Sequence, residues 1–153
     1  MTTHRAIAVL AAVILSVSST AAYGQRCSNR TTVGRYVVVC NGYLSPGPNA
    51  PLVPVKELGI ANGDDEGTFS ASGTVSFGGQ ILQQTVIGKE QLNPDCTGTI
   101  TYKQTIDGQP APDFTDTFFV SENGNRIDGL STDAGSVFSC VLTRVSRFEL
   151  REE

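Results

Sequence analysis

The sequence predicts an all-β protein, a closed or nearly closed antiparallel up-and-down barrel of about eight strands, with a two-sheet β-sandwich as the alternative. Three observations carry this. Apolar and Ser/Thr residues alternate with period two along most of the chain. Turn signals recur every eight to twelve residues. Helical patterning is nearly absent. Short connections make sequential strands antiparallel neighbours, and closing the sheet removes the two exposed edges that an open eight-strand meander would leave.

The first strand is expected over 34–44, with Tyr36, Val38 and Cys40 on one face and Val37, Val39 and Asn41 on the other. "SPGPNAP" (45–51) breaks it with three prolines. A second strand covers 53–61, and "NGDDEG" (62–67) turns the chain. The cleanest strand is 68–77. Phe69, Ala71, Gly73, Val75 and Phe77 share its apolar face, and small residues there suit a tightly curved wall. Gly78-Gly79 leads into 80–92, and "NPDC" (93–96) into 97–105. "DGQPAPD" (107–113) is expected as a long turn before 114–121. Asn123-Gly124 is the strongest short hairpin signal. Strands at 126–132 and 136–148 finish the pattern, and the charged "RFELREE" end is expected to fray.

The N-terminus reads as a secretory signal peptide. "MTTHR" gives a positive start, 6–17 is apolar, and Ala22-Tyr23-Gly24 fits a small-x-small cleavage site before Gln25. The apolar run falls short of the ~20 residues that span a bilayer. Residues 1–24 are therefore set aside, and 25–153 is one domain, expected in a secreted, periplasmic or extracellular location with no membrane span. Eleven Lys+Arg against fifteen Asp+Glu make the chain acidic, with a formal charge of −4, and no basic cluster invites nucleic acid. The single histidine, His4, lies in the leader. A domain lacking it has no Ser-His-Asp or Cys-His machinery and no histidine-based zinc site. No cofactor motif is present.

Four cysteines in a secreted chain point to disulfides, and no C-x-x-C pair suggests a zinc knuckle or a redox motif. Three pairings are open. A reactive thiol is disfavoured, because no histidine can activate it. Asp64-Asp65-Glu66-Gly67 invites a calcium reading, but the alternating oxygen spacing that wraps a cation is missing, and a turn explains it better. No metal site is expected.

Several stretches carry a resemblance: "CSNRTTVGRY" (27–36), the acidic turn opening the Ser/Thr-alternating strand (64–77), "NPDCTGTITY" (93–102) and "FVSENGNRIDGLST" (119–132). Together they resemble a group of secreted bacterial proteins, frequent in acidobacterial and related environmental genomes. The fold the resemblance implies is a small β-barrel similar to calycins or allene oxide cyclase-like barrels. It implies no activity. Cysteines matching Cys27 and Cys96 occur together in that group, so the resemblance implies a Cys27–Cys96 bridge and leaves Cys40 with Cys140. The second pair also suits a closed meander, whose first and last strands are neighbours. The Asn29-Arg30-Thr31 sequon is expected to go unused in a bacterial host.

Asp116 is the most telling single residue. Period two puts it on one face with Phe114 and Phe118, so it points into the barrel if they do. The simpler alternative turns Phe119 inward, or sets Asp116 at the rim, and leaves its carboxylate in water. Glu90, Tyr102 and Gln104 are weaker candidates. The expected interior residues are Tyr36, Phe69, Phe77, Tyr102, Phe114, Asp116 and Phe118, with no catalytic residue assigned. The leading expectation is a non-enzymatic binding or structural module holding a small apolar ligand. The alternatives are an envelope or surface interaction protein and, behind it, a cofactor-free cyclase- or isomerase-like enzyme.

Overall fold

Alternating side chains can satisfy both a core and a solvent face only if each strand keeps its register against two neighbours. The computed structural model, which describes residues 26–47 and 49–145, meets this by closing the sheet. Eight antiparallel strands follow in chain order: β1 (Gly34–Leu44), β2 (Val53–Gly63), β3 (Thr68–Phe77), β4 (Gln80–Leu92), β5 (Thr97–Ile106), β6 (Gln109–Ser121), β7 (Arg126–Ser131) and β8 (Ser136–Arg144). The leader and the "RFELREE" end lie outside the described residues.

Two hairpin turns are as tight as turns can be. Phe77 faces Gln80 across Gly78-Gly79, and Ile106 faces Gln109 across Asp107-Gly108. All four turn residues have positive φ, the geometry that matches the right-handed twist of the flanking strands. The second turn corrects an expectation. β6 begins at Gln109, so most of the expected 107–113 turn is strand. Pro110 and Pro112 are tolerated because β7 pairs only with Asp116–Ser121, which leaves the start of β6 with a free edge. A register shift opposite Tyr102–Gln104 re-aims this segment. The Asn123-Gly124 pair, in contrast, sits in a four-residue connection between Ser121 and Arg126.

The seam lies between β1 and β8. Nine residue pairs register there, with Cys40 directly opposite Cys140. A disulfide joins the two, their Cα atoms 4.0 Å apart. A second disulfide, Cys27–Cys96, ties the segment before β1 to the β4–β5 turn.

One end of the barrel is plugged. A short 3-10 turn, Asn29–Thr31, crosses it, and buried Thr32 follows. Arg144 from β8 clamps this segment. Its guanidinium donates to the carbonyls of Val33, Thr31 (2.7 Å) and Gly124 (3.1 Å), and it stacks 5.0 Å over the Tyr36 ring. The Tyr36 hydroxyl donates to the Gly124 carbonyl at 2.9 Å, so three separate elements meet on one acceptor region. The buried core gathers above this plug around Tyr36, Val38, Val55, Phe118 and Leu142. Phe118 needs Gly98 beneath it: a Cβ there would collide with the Phe118 ring.

Two outcomes follow. Replacing both seam cysteines with alanine is expected to lower the unfolding free energy by about 2–4 kcal/mol. Urea denaturation reads this, and an unchanged midpoint would mean that the seam holds without its bridge. Arg144→Ala is expected to cost about 1–3 kcal/mol, since three carbonyls lose a charged donor. Amide exchange should then quicken first in 31–36; uniform exchange across the barrel would count against a local clamp.

Candidate functional site

Eight strands make a barrel whose interior is either filled by side chains or left just open enough for one small ligand. Here it is open. A cavity of about 990 Å³ runs from the plug to the opposite end, where Ser45–Gly47, Ala111–Asp113 and Asp133–Gly135 ring the mouth. Most of the wall is aliphatic and aromatic: Val38, Val55, Val75, Leu82, Val86, Ile100, Ile127 and Phe138. Small residues keep the space open. Gly59 faces Gly73, and Ala61 faces Ala71, where β2 and β3 pair.

All seven residues expected in the interior line this cavity: Tyr36, Phe69, Phe77, Tyr102, Phe114, Asp116 and Phe118. Asp116 is buried and inward, and Phe119 is the exposed partner, which decides between the two registers. Tyr102 stacks on Phe114, its cross-strand neighbour, at a ring separation of 6.0 Å. Glu90 and Gln104 also reach the cavity. Cys40 and Cys140 form part of its wall, and no described cysteine is free.

A polar group sits inside this apolar wall. Glu57 on β2, Gln84 on β4, Tyr102 and Gln104 on β5 and Asp116 on β6 supply it. The Gln84 amide, with its nitrogen toward Glu57, donates to both carboxylate oxygens at 3.0 and 3.1 Å. Its other end lies 2.5 Å from the Gln104 side chain. The Tyr102 hydroxyl donates to Asp116 Oδ2 at 3.3 Å. Asp116 Oδ1 and the Ser131 hydroxyl, directly opposite on β7, are both buried; the hydroxyl is near enough to pull on the Asp116 carboxylate but makes no well-formed hydrogen bond. Near the plug, the Glu90 carboxylate accepts from the Thr32 hydroxyl.

These surroundings shift the acids. Burial, with the Asp116 charge adding to it, pushes the Glu57 carboxyl up to about 7. Glu57 is only half-buried by exposure, because its carboxylate borders the cavity rather than packed protein. Burial pushes Asp116 up to about 6, against the pull of the Tyr102 and Ser131 hydroxyls, and Asp133 adds to the rise. Burial and then the charges of Asp116 and Glu57 hold the Tyr102 phenol far above its ordinary value. Glu90 is raised by burial, and the Thr32 bond partly opposes this.

The acidic turn resolves differently. Asp64 accepts from the amides of Glu66 (3.1 Å) and Thr68 (2.7 Å), closing the turn on itself. Among the described residues no group of three or more His, Cys, Asp or Glu side chains is placed to hold a metal. Asp95 caps "NPDC" in the same way, accepting from the Thr97 amide at 3.0 Å. Cys96 itself takes a positive φ of 70°, an uncommon backbone for a residue with a side chain, at the point where the disulfide holds it.

Glu57 and Gln84 were not among the candidates read from the sequence. The signal existed: Val55, Glu57, Gly59 and Ala61 share one face by period two. A glutamate between valine and glycine looks like a solvent residue until the register of β2 is fixed.

No family model, curated protein or solved structure matches the chain. Fold and interior by themselves define the class: a small closed β-barrel, disulfide-locked, with one acidic but mostly apolar lumen. Among the described residues no helix is long and apolar enough to cross a membrane.

The raised carboxyls make stability depend on pH with a definite sign. An acid whose folded pKa exceeds its unfolded value binds protons more tightly in the folded state. Its contribution is therefore greatest at low pH and is lost as pH rises from the ordinary carboxylate range to the folded value. For Glu57 and Asp116 that window runs from about 4 to about 7. Asp64, Asp95 and Asp128 are lowered by hydrogen bonds, so they oppose this only below their ordinary value. The protein is expected to melt higher at about pH 5 than at about pH 8, and Glu57→Gln to gain about 1–3 kcal/mol at the higher pH. Equal melting at both pH values, in wild type and variant, would contradict the buried acid pair.

Proposed function

We propose that this is a secreted, non-enzymatic binding protein that holds one small, largely apolar ligand inside the barrel. The observation that carries it is the open cavity of about 990 Å³, at the upper end of the range for small-molecule sites. An interior serving structure alone would be filled, because an empty apolar volume forfeits dispersion contacts. The plug at one end and the loop-ringed mouth at the other give it a single entrance. Two disulfides fit an oxidising compartment, and they support the secreted location that the leader implies. The calycin-like resemblance agrees with this use of a barrel.

A second reading has its own support. Glu57 and Asp116 are raised toward neutrality beside Tyr102 in a mostly apolar cavity, the setting in which a carboxyl exchanges protons with a bound substrate. An isomerase-like enzyme would use them so. Binding alone needs fewer assumptions, since no nucleophile or cofactor motif accompanies the pair.

Native mass spectrometry of protein secreted by its own host is expected to find a bound small molecule. Ala71→Trp, which puts an indole into the cavity, should abolish this binding and leave the fold intact by circular dichroism. A ligand-free wild type, with no thermal shift from a panel of lipids and small acids and bases, would remove the binding reading. Turnover of a recovered ligand that vanishes in Asp116→Asn would favour the enzyme.

A further inference from the structure

The cavity wall is electrically one-sided. Glu57, Glu90, Asp113, Asp116 and Asp133 line it, and among the described residues no lysine, arginine or histidine does. The nearest clamp cation, Arg144, is spent on three carbonyls of the plug. An apolar ligand needs none of these acids, and the two mid-barrel ones, Glu57 and Asp116, are set in a mostly apolar wall, where a carboxylate without a counter-charge is unfavourable. They are explicable if the ligand supplies the charge.

A second, independent observation comes from hydrogen bonding. Asp116 is only 7 % exposed, faces the cavity, and has an Oδ1 atom with no partner. Across from it the Ser131 hydroxyl pulls on the carboxylate without a well-formed hydrogen bond to it. Asp116 lies close enough for its charge to be felt at Glu57, which is steadied by Gln84. Buried polar atoms are almost always satisfied, so the loosely held Asp116 carboxylate stands out in the wall of the cavity. A carboxylate lacking a partner calls for a donor, and a primary ammonium carries three. The stacked Tyr102–Phe114 pair beside Asp116 offers aromatic surface to a flat or cationic group.

We infer that the ligand is a primary amine with an apolar body, its ammonium bound between Asp116 and Glu57 and its hydrocarbon or aryl part lying along the aliphatic wall. This rests on the cavity-binding reading and narrows it to a chemical class. The groups facing the ammonium are Glu57 (β2), Gln84 (β4), Tyr102 and Gln104 (β5) and Asp116 (β6), with Ser131 behind Asp116 and Asp133 nearer the mouth. Affinity should therefore follow the ionisation of Glu57 and Asp116. Above about pH 7 both Glu57 and Asp116 are charged. Toward about pH 5 they take up protons, and the ammonium loses its partners.

The test uses three probes of one shape: 4-phenylbutylamine, 4-phenylbutan-1-ol and 4-phenylbutanoate. Calorimetric titration of the disulfide-intact protein at about pH 8 is expected to give the amine at least ~10-fold tighter binding than the alcohol, with the carboxylate weakest. The amine's advantage should shrink to ~3-fold or less at about pH 5, and in the Glu57→Gln/Asp116→Asn double variant. That variant should keep the wild-type circular dichroism spectrum and a cooperative melt, which checks that its barrel is intact. Equal binding of amine and alcohol, or preference for the carboxylate, would overturn the amine inference and leave the cavity reading standing. Failure of all three probes would overturn the inference too; a ligand found by native mass spectrometry would still support the cavity reading. An amine preference that survives in the double variant would show that the two acids are not its site.

Discussion

Everything in this molecule depends on closing the sheet between β1 and β8. An eight-strand meander has two edges, and each is a row of unpaired backbone donors and acceptors. Pairing Tyr36–Leu44 with Ser136–Arg144 removes both edges at once. The join is non-local, between segments about a hundred residues apart, so its closure entropy is large. Cys40 and Cys140, opposite each other in that register, remove most of that entropy from the unfolded chain. Once the seam is fixed, the alternation in every strand has a meaning: one parity is lumen, the other solvent.

Closure also determines where polar groups can go. The plugged end absorbs Arg144, Tyr36, Thr32 and Glu90 in a network in which each group has a partner. The mid-barrel group of Glu57, Gln84, Tyr102, Gln104 and Asp116 is only partly satisfied. A half-satisfied buried network costs stability, and incompleteness of this kind belongs to sites that await another molecule. The contrast between the two ends separates what serves the fold from what is free for function.

The outer surface carries large apolar side chains that the interior does not need. Val39 pairs with Leu58, and Tyr43 with Val137, all about half exposed or more. They lie on the strands flanking the seam. The β-branched valines and the tyrosine among them suit pleated strands, and exposed apolar residues are ordinary on a protein of this size. The lumen, by comparison, combines enclosure, charge of one sign and unmet hydrogen bonds.

The sequence by itself determined the strands, most of their turns and which side chains share a face, because period two and turn chemistry are local. It put Tyr36, Phe69 and Phe118 on one wall, and the "NPDC" turn where Asp95 caps it. It misjudged 107–113, since the tolerance of Pro110 and Pro112 depends on how far β7 reaches along β6. The choice between Asp116 and Phe119 as the inward residue could not be made locally either; it needed the register of β6 against both neighbours. Only tertiary structure decided that Glu57 from β2 and Asp116 from β6 face one cavity, and that the cavity is open. Those facts depend on barrel closure and on the summed volume of inward side chains, and no single strand encodes either one.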